Sequence, residues 1–152
     1  MRASLLALAA LLVPQAAWAD NWRMAAYSGT DMQQQLAYFV DIDSIQRTGT
    51  KITFNSQTIY QALTDARDFD RSVIKREADC ANMSTRMLDS NFYAAGKFLG
   101  NESGAGDFVT AKTGTVLETM LNVACGRGDY RSPVVADPES WSRERFRTGF
   151  GS

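Results

Sequence analysis

The stretch TVLETMLNVACG, residues 115–126, predicts a short amphipathic helix whose last turn carries one of the two cysteines of the chain. Thr115 and Glu118 have the spacing of a capping box, in which their side chains accept hydrogen bonds from the first backbone N–H groups. Gly126 stands where a left-handed cap commonly ends a helix. The apolar residues between them recur at helical spacing: Val116, Leu117, Met120, Leu121 and Ala124.

Upstream of this helix, apolar and polar side chains alternate as they do in half-buried strands. Strands are predicted at residues 21–28, 35–42, 51–63, 72–80 and 84–96. Asp43, Ser44 and Gly49 are typical turn residues, and the polar run 55–57 indicates a bulge or an edge strand. Because no helical crossover separates the strands, we expect an antiparallel sheet. The predicted fold class is α+β, with one C-terminal helix packed on one face of the sheet.

The first 19 residues have the three parts of an export signal, which are a positive charge, an apolar run and a cleavage pattern. Arg2 supplies the charge, Leu5 to Val13 form the run, and AWA at 17–19 is the cleavage pattern. The apolar run has about ten residues, too few to cross roughly 30 Å of hydrocarbon as a helix. We expect a mature chain that begins at Asp20, has no membrane anchor and is periplasmic or secreted.

Cys80 and Cys125 are the only cysteines, and three roles are open to them: catalytic, metal-binding and structural. The chain has no histidine, so a cysteine nucleophile lacks its usual base and a zinc site lacks ligands. An even pair in an exported chain instead predicts one disulfide. Such a bridge closes a loop of about 45 residues and stabilises the fold by about 4 kcal/mol.

Length and charge fit one domain of moderate acidity. The net charge of −1 becomes −2 when Arg2 is removed with the signal, which argues against a nucleic-acid-binding protein. We expect a signal peptide at 1–19, the folded domain at 20–126 and a loosely ordered tail at 127–152. Pro138 is well placed to begin a short helix within that tail.

No stretch of the sequence has the pattern of a cofactor or metal site. The glycine-rich run 100–107 lacks the Lys-Ser/Thr pair of a phosphate loop, so we expect a flexible loop before a strand near Phe108. The acidic run 65–71 is interleaved with arginines and lacks the register of a calcium loop. We therefore expect a protein that is not an enzyme and has no cofactor or bound metal.

Strand alternation predicts where a partner would bind. Ile74, Ala78 and Cys80 share one face of their strand, so the opposite face carries Lys75, Glu77 and Asp79. A single helix covers one face of a sheet and leaves the other open. This mixed charged surface suits a protein partner or a second copy of the chain.

Several segments together resemble the bacterial surface-adhesin protein E-like family over about residues 22–126. They are NWRMA, LAYFVDIDSIQRTG, EADC, FYAAGK and the helix end VAC. The resemblance implies an antiparallel sheet with one helix tied to it by a Cys80–Cys125 bridge. It also implies binding rather than catalysis, namely adhesion to extracellular host proteins.

Two other functions remain open on the sequence. A small disulfide-bonded periplasmic inhibitor of a cell-wall hydrolase would share the size and the bridge. A hydrolase with paired carboxylates does not need histidine, but no closely spaced, apolar-framed pair of acids is present.

Cleavage after Ala19 is the first testable prediction, because charge, run length and the AWA pattern agree. Protein purified from the periplasm should have the intact mass of a chain that begins at Asp20. A mass that includes residues 1–19 would contradict export.

Overall fold

The computed structural model describes residues 21–29 and 34–150, and within them seven strands form one antiparallel sheet. The predicted signal and its cleavage site lie outside these residues. The strands are β1 Trp22–Ser28, β2 Leu36–Thr48, β3 Lys51–Tyr60, β4 Arg71–Asp79, β5 Ser84–Ala94, β6 Lys97–Ser103 and β7 Val109–Thr110. Their order is β1 to β6 in sequence, with β7 also paired to β5. The helices are α1 Val116–Ala124 and α2 Pro138–Thr148. This arrangement confirms the predicted antiparallel sheet.

Strand β2 is longer than the sequence predicts. Asp43 and Ser44, expected in a turn, lie inside the strand, where its register with β3 shifts between Asp41 and Gln46. Side chains stabilise this bulge, because the Ser44 hydroxyl donates to the Asp41 carbonyl at 2.7 Å and the Asp41 carboxylate accepts from the Asp43 N–H at 3.2 Å. The turn comes later, at Gly49, which has a φ of 62°.

The polar run 55–57 does not mark an edge strand, so that part of the prediction was wrong, but it begins beside the bulge of β2, where Asp41 is the last regular partner and pairs with Asn55. Strand β3 lies between β2 and β4 and pairs with β4 without a register shift. Ser56 is buried, and its hydroxyl lies 3.3 Å from the Ile74 carbonyl and 2.9 Å from the Arg76 Nε donor. A polar side chain can occupy a central strand when hydrogen bonds satisfy it in this way.

The glycine-rich run is also more ordered than the sequence predicts. Its first part belongs to β6, where Gly100 lies opposite Phe92 of β5. The two-residue turn before β6 has positive φ at both Ala95 (48°) and Gly96 (76°). Turns of this kind match the twist of paired strands, and they favour a hairpin over a free loop.

Helix α1 packs on one face of the sheet, which we call the disulfide face. The Thr115 hydroxyl accepts from the Glu118 N–H at 3.3 Å, and Gly126 has a φ of 74°, so both predicted caps are confirmed. Cys80 and Cys125 form a disulfide, which confirms the predicted pairing. The core between helix and sheet contains Ala25, Val40, Ile52, Phe54, Ala78, Met120, Leu121, Val123 and Ala124.

The C-terminal segment covers part of the other face, which we call the α2 face. Pro138 begins α2, and the Asp137 carboxylate accepts from the Ser140 N–H at 3.1 Å, so the short helix is confirmed. In place of a loosely ordered tail, the described residues form a second core from Trp22, Met24, Ala37, Phe39, Ile59, Val135 and Phe146. The sequence gives little indication of this second core, because only a few apolar residues on an otherwise polar helix contribute to it.

Truncation of Phe146 should show whether α2 is held to the sheet. Phe146 is 9% exposed, so Phe146→Ala should destabilise the fold by about 3 kcal/mol in a denaturant titration. The matched control is Phe98→Ala, because Phe98 is 58% exposed and its removal should change stability by less than about 0.5 kcal/mol. Equal effects of the two substitutions would contradict the packing of α2.

Candidate binding surfaces

The strand register places Lys75 and Glu77 on the α2 face, at the end that α2 leaves uncovered. Lys75 lies across from Asn55 and Asp89, and Glu77 lies across from Arg86. Core residues of the α2 face lie at the other end of the same strands. The charged residues on this uncovered end form what we call the charged patch: Lys51, Lys75, Glu77, Arg86 and Asp89.

Glu77 is the centre of an ion-pair network within the patch. Its carboxylate accepts from the Arg86 Nε at 2.6 Å and lies 3.5 Å from the Lys51 ammonium. The hydrogen bond from Arg86 is the main cause that lowers the pKa of Glu77 below its ordinary value, and Lys51 contributes less. Two cations of the same chain already pair with the Glu77 carboxylate, so this carboxylate is not available to a partner without breaking an internal ion pair.

Lys75 is the residue of the predicted trio with a free charge. Its side chain is exposed, and no ion pair within 4.0 Å is formed by Lys75 in the described part of the chain. The carboxylate of Asp89, across the ladder, accepts instead from the Ser103 hydroxyl at 2.6 Å and the Asn91 amide at 3.3 Å. Lys75 can therefore meet an acidic group of a partner without first breaking an internal contact.

Asp79 has a local structural role. Its carboxylate accepts from the Ala81 N–H at 2.9 Å and from the Asn82 side-chain amide at 2.8 Å. These bonds hold the turn between β4 and β5, in which Met83 has a φ of 49°. The structure thus separates the three predicted binding residues into a free lysine, a paired glutamate and a turn-forming aspartate.

Phe108 adds an aromatic side chain to the patch, and sequence reasoning missed it. Its ring lies 4.9 Å from the Arg86 guanidinium and 5.5 Å from the Lys51 ammonium, and the side chain is 38% exposed. A shallow cavity of about 290 Å³ lies beside Lys51 and Glu77. The glycine-rich composition before Phe108 gave no signal for this contact, because the loop meets the patch only through the fold.

Within residues 21–29 and 34–150, no cluster of three or more potential metal ligands from Asp, Glu, Cys and His is present. Neither helix in that part of the chain has the length and apolar character needed to span a bilayer.

The residues described so far define a small antiparallel domain that is tied by one disulfide and leaves a charged patch uncovered. The chain belongs to the surface-adhesin protein E family, because the family model described as surface-adhesin protein E matches residues 24–126. This match confirms the resemblance seen in the sequence. Helix α2 lies outside the matched residues.

Two solved structures of Haemophilus influenzae protein E are similar to this chain. The one titled crystal form II has a TM-score of 0.46 and 14% identity, and the match covers 59% of this chain and 80% of that chain. The other has a TM-score of 0.42 and 14% identity, with coverage of 59% and 76%. No curated protein matches the chain.

The hydrogen bond from Arg86 to Glu77 should make the free energy of unfolding depend on pH. A carboxylate with a lowered pKa stabilises the fold above its unfolded pKa, and this contribution is lost as the pH falls through the folded value. Arg86→Gln should therefore raise the pKa of Glu77 in a carboxyl NMR titration and reduce the loss of stability between neutral and acidic pH.

The matched control for this titration is Lys51→Gln, because Lys51 is the weaker of the two causes. It should raise the pKa of Glu77 by less than Arg86→Gln does. A larger shift in the Lys51 variant would contradict the assigned order of contacts.

Proposed function

We propose that the mature chain is an exported, non-enzymatic protein that attaches to extracellular proteins through the charged patch. The family match supports binding as the general role. The observation that carries the choice of surface is the free charge of Lys75, in a patch where Glu77 is already paired. The expected partner presents acidic side chains to Lys75 and an apolar group to Phe108.

The chemistry of the patch predicts the kind of interaction. Exposed charges act mainly by accelerating association, and salt screens them. The exposed ring of Phe108 supplies apolar contact area beside these charges. We therefore expect moderate affinity that decreases as the salt concentration rises.

The disulfide supports an oxidising compartment as the place of action. We place the mature chain, from Asp20, in the periplasm or outside the cell. A second copy of the chain is the other proposed occupant of the patch, and the oligomeric state at low and high salt tests it.

The alternative function is inhibition of a cell-wall hydrolase. The hairpin of β5 and β6 is the observation that favours it, because it is a paired hairpin with a bulge at Leu99 rather than a free loop, and it exposes Phe98 (58%) and Leu99 (50%). An inhibitor needs a rigid protruding segment of this kind. Inhibition of a purified cell-wall hydrolase by the mature chain, and its loss in Phe98→Ala, would favour this alternative over adhesion.

Charge reversal at Lys75 tests the adhesion proposal. Lys75→Glu should slow association with the bound members of a panel of purified extracellular matrix proteins by about tenfold, with little change in the dissociation rate. The melting temperature should stay within about 2 °C, since Lys75 is exposed and unpaired. Glu77 is left unchanged, because its reversal would place a cation beside Arg86 and Lys51.

The matched control is Lys97→Glu, which reverses another exposed lysine, in the edge strand β6. It should leave association unchanged. Equal losses in both variants would mean that net charge, rather than the patch, controls binding. Undiminished binding by Lys75→Glu would place the site elsewhere.

A further inference from the structure

The disulfide face has a second surface, beyond the area that α1 covers. Helix α1 packs against β1 and β2 and reaches one end of β3 and β4. Farther along, the register aligns two rows of side chains across the sheet. One row is Val40, Ser56, Ile74, Ser90 and Glu102, and the next is Tyr38, Thr58, Ser72, Phe92 and Gly100.

Small polar side chains form the floor of this surface, and larger ones stand around it. Ser56, Ser72 and Ser90 are 3%, 2% and 4% exposed, respectively. Tyr38 and Phe92 are half-buried beside them, as is Ile74. We call these six residues the serine-floored surface. Its accessible part is aromatic and aliphatic and lies over buried hydroxyl groups, and at one end the Phe69 ring packs on Phe92 with centroids 4.7 Å apart.

Arg76 lies on the same face at the edge of this surface, in the middle of the sheet. The register places it between Phe54 of β3 and Met87 of β5, and its Nε donates to the Ser56 hydroxyl at 2.9 Å. No carboxylate lies within 4.0 Å of its guanidinium in residues 21–29 and 34–150. Arg76 thus directs its charged group to the serine-floored surface without an anionic partner.

This arrangement is unfavourable for the isolated fold. Burial lowers the pKa of Arg76, which means that the protein surroundings disfavour its charged form. Arginine nevertheless stays protonated, so the charge remains half-buried and unpaired. Some half-buried arginines pair with carboxylates, such as Arg143 with Asp70 at 2.7 Å and Arg71 with Glu139 at 3.4 Å. Arg23 and Arg67 have no carboxylate, but their terminal nitrogens donate to backbone carbonyls. In the described residues the terminal nitrogens of Arg76 have neither kind of partner, and an external anion would offset the burial of its charge.

We propose that Arg76 and the serine-floored surface bind a carboxylate side chain of a protein partner, flanked by apolar residues. The planar guanidinium donates to the carboxylate through its terminal nitrogens, while Nε stays on Ser56. The apolar neighbours of the acid pack against Tyr38 and Phe92. This site lies on the opposite face from the charged patch, so it does not depend on Lys75.

The test uses the mature chain with ¹⁵N label and the peptide acetyl-Leu-Asp-Phe-amide as the probe. Addition of the peptide should shift the Arg76 Nε–H signal and the amide signals of neighbouring β3 and β4 residues, in a saturable manner that weakens with salt. The matched peptide acetyl-Leu-Asn-Phe-amide differs only in charge and should bind at least tenfold more weakly. Equal responses to the two peptides, or shifts confined to other residues, would overturn the proposal.

Substitution of Arg76 separates a binding role from a structural role. Arg76→Met should abolish the response to the aspartate peptide and leave the melting temperature unchanged or higher, because it removes an unpaired half-buried charge. A lower melting temperature would show that the fold needs Arg76 and would overturn the proposal. Arg76→Lys keeps the positive charge but loses the planar guanidinium, which can donate two parallel hydrogen bonds to a carboxylate. The dissociation constant of the aspartate peptide should therefore rise several-fold, while the fold stays intact.

Two further measurements complete the design. Lys75→Glu should bind the aspartate peptide as the unchanged protein does, which distinguishes this site from the charged patch. A sulfated disaccharide that shifts the Arg76 signal, while the aspartate peptide does not, would assign the site to a glycan and overturn the proposal.

Discussion

The covalent link between Cys80 and Cys125 is the constraint on which the rest of the structure depends. It brings the Cα atoms at the ends of β4 and α1 to 5.8 Å across 45 residues of sequence. Helix α1 has nine residues, too few for stability as an isolated helix in water, so it depends on its contacts with the sheet. The bridge keeps α1 over β1 and β2, so α1 does not cover the far part of the disulfide face, where neighbouring side chains bury Ser56, Ser72 and Ser90.

The second helix divides the other face in a similar way. Helix α2 covers the end of the sheet that carries Phe39 and Ile59, held by Phe146 and by the ion pair of Arg143 with Asp70. The charged patch lies at the end that it does not cover. Helix α2 lies outside the residues matched by the family model, so the part of this face that is covered depends on a segment beyond the match.

Strand β4 connects the two proposed surfaces at the level of single residues. Lys75 and Arg76 are neighbours in sequence, yet they point to opposite faces because side chains alternate along a strand. Lys75 belongs to the charged patch, and Arg76 belongs to the serine-floored surface. Among residues 21–29 and 34–150, neither cation has a carboxylate within 4.0 Å, whereas Glu77 of the same strand pairs with Lys51 and Arg86. This distribution of charge supports the proposal of a binding domain with one surface on each face of the sheet.

The sequence by itself determined the local secondary structure and the disulfide. Thr115, Glu118 and Gly126 mark the ends of α1 through short-range hydrogen bonds and backbone freedom. The alternation of apolar and polar side chains marks the strands. Both signals come from residues that are close in sequence. The two cysteines had only each other to pair with. Only the tertiary structure decided that Ser56 is central, that β6 replaces a loop and that α2 forms a second core. It also decided that Glu77 is paired, while Lys75 and Arg76 have no carboxylate within 4.0 Å in the part of the chain that the structure describes. These outcomes depend on contacts between neighbouring strands and between segments that are distant in sequence. A local sequence pattern does not determine which residues make those contacts.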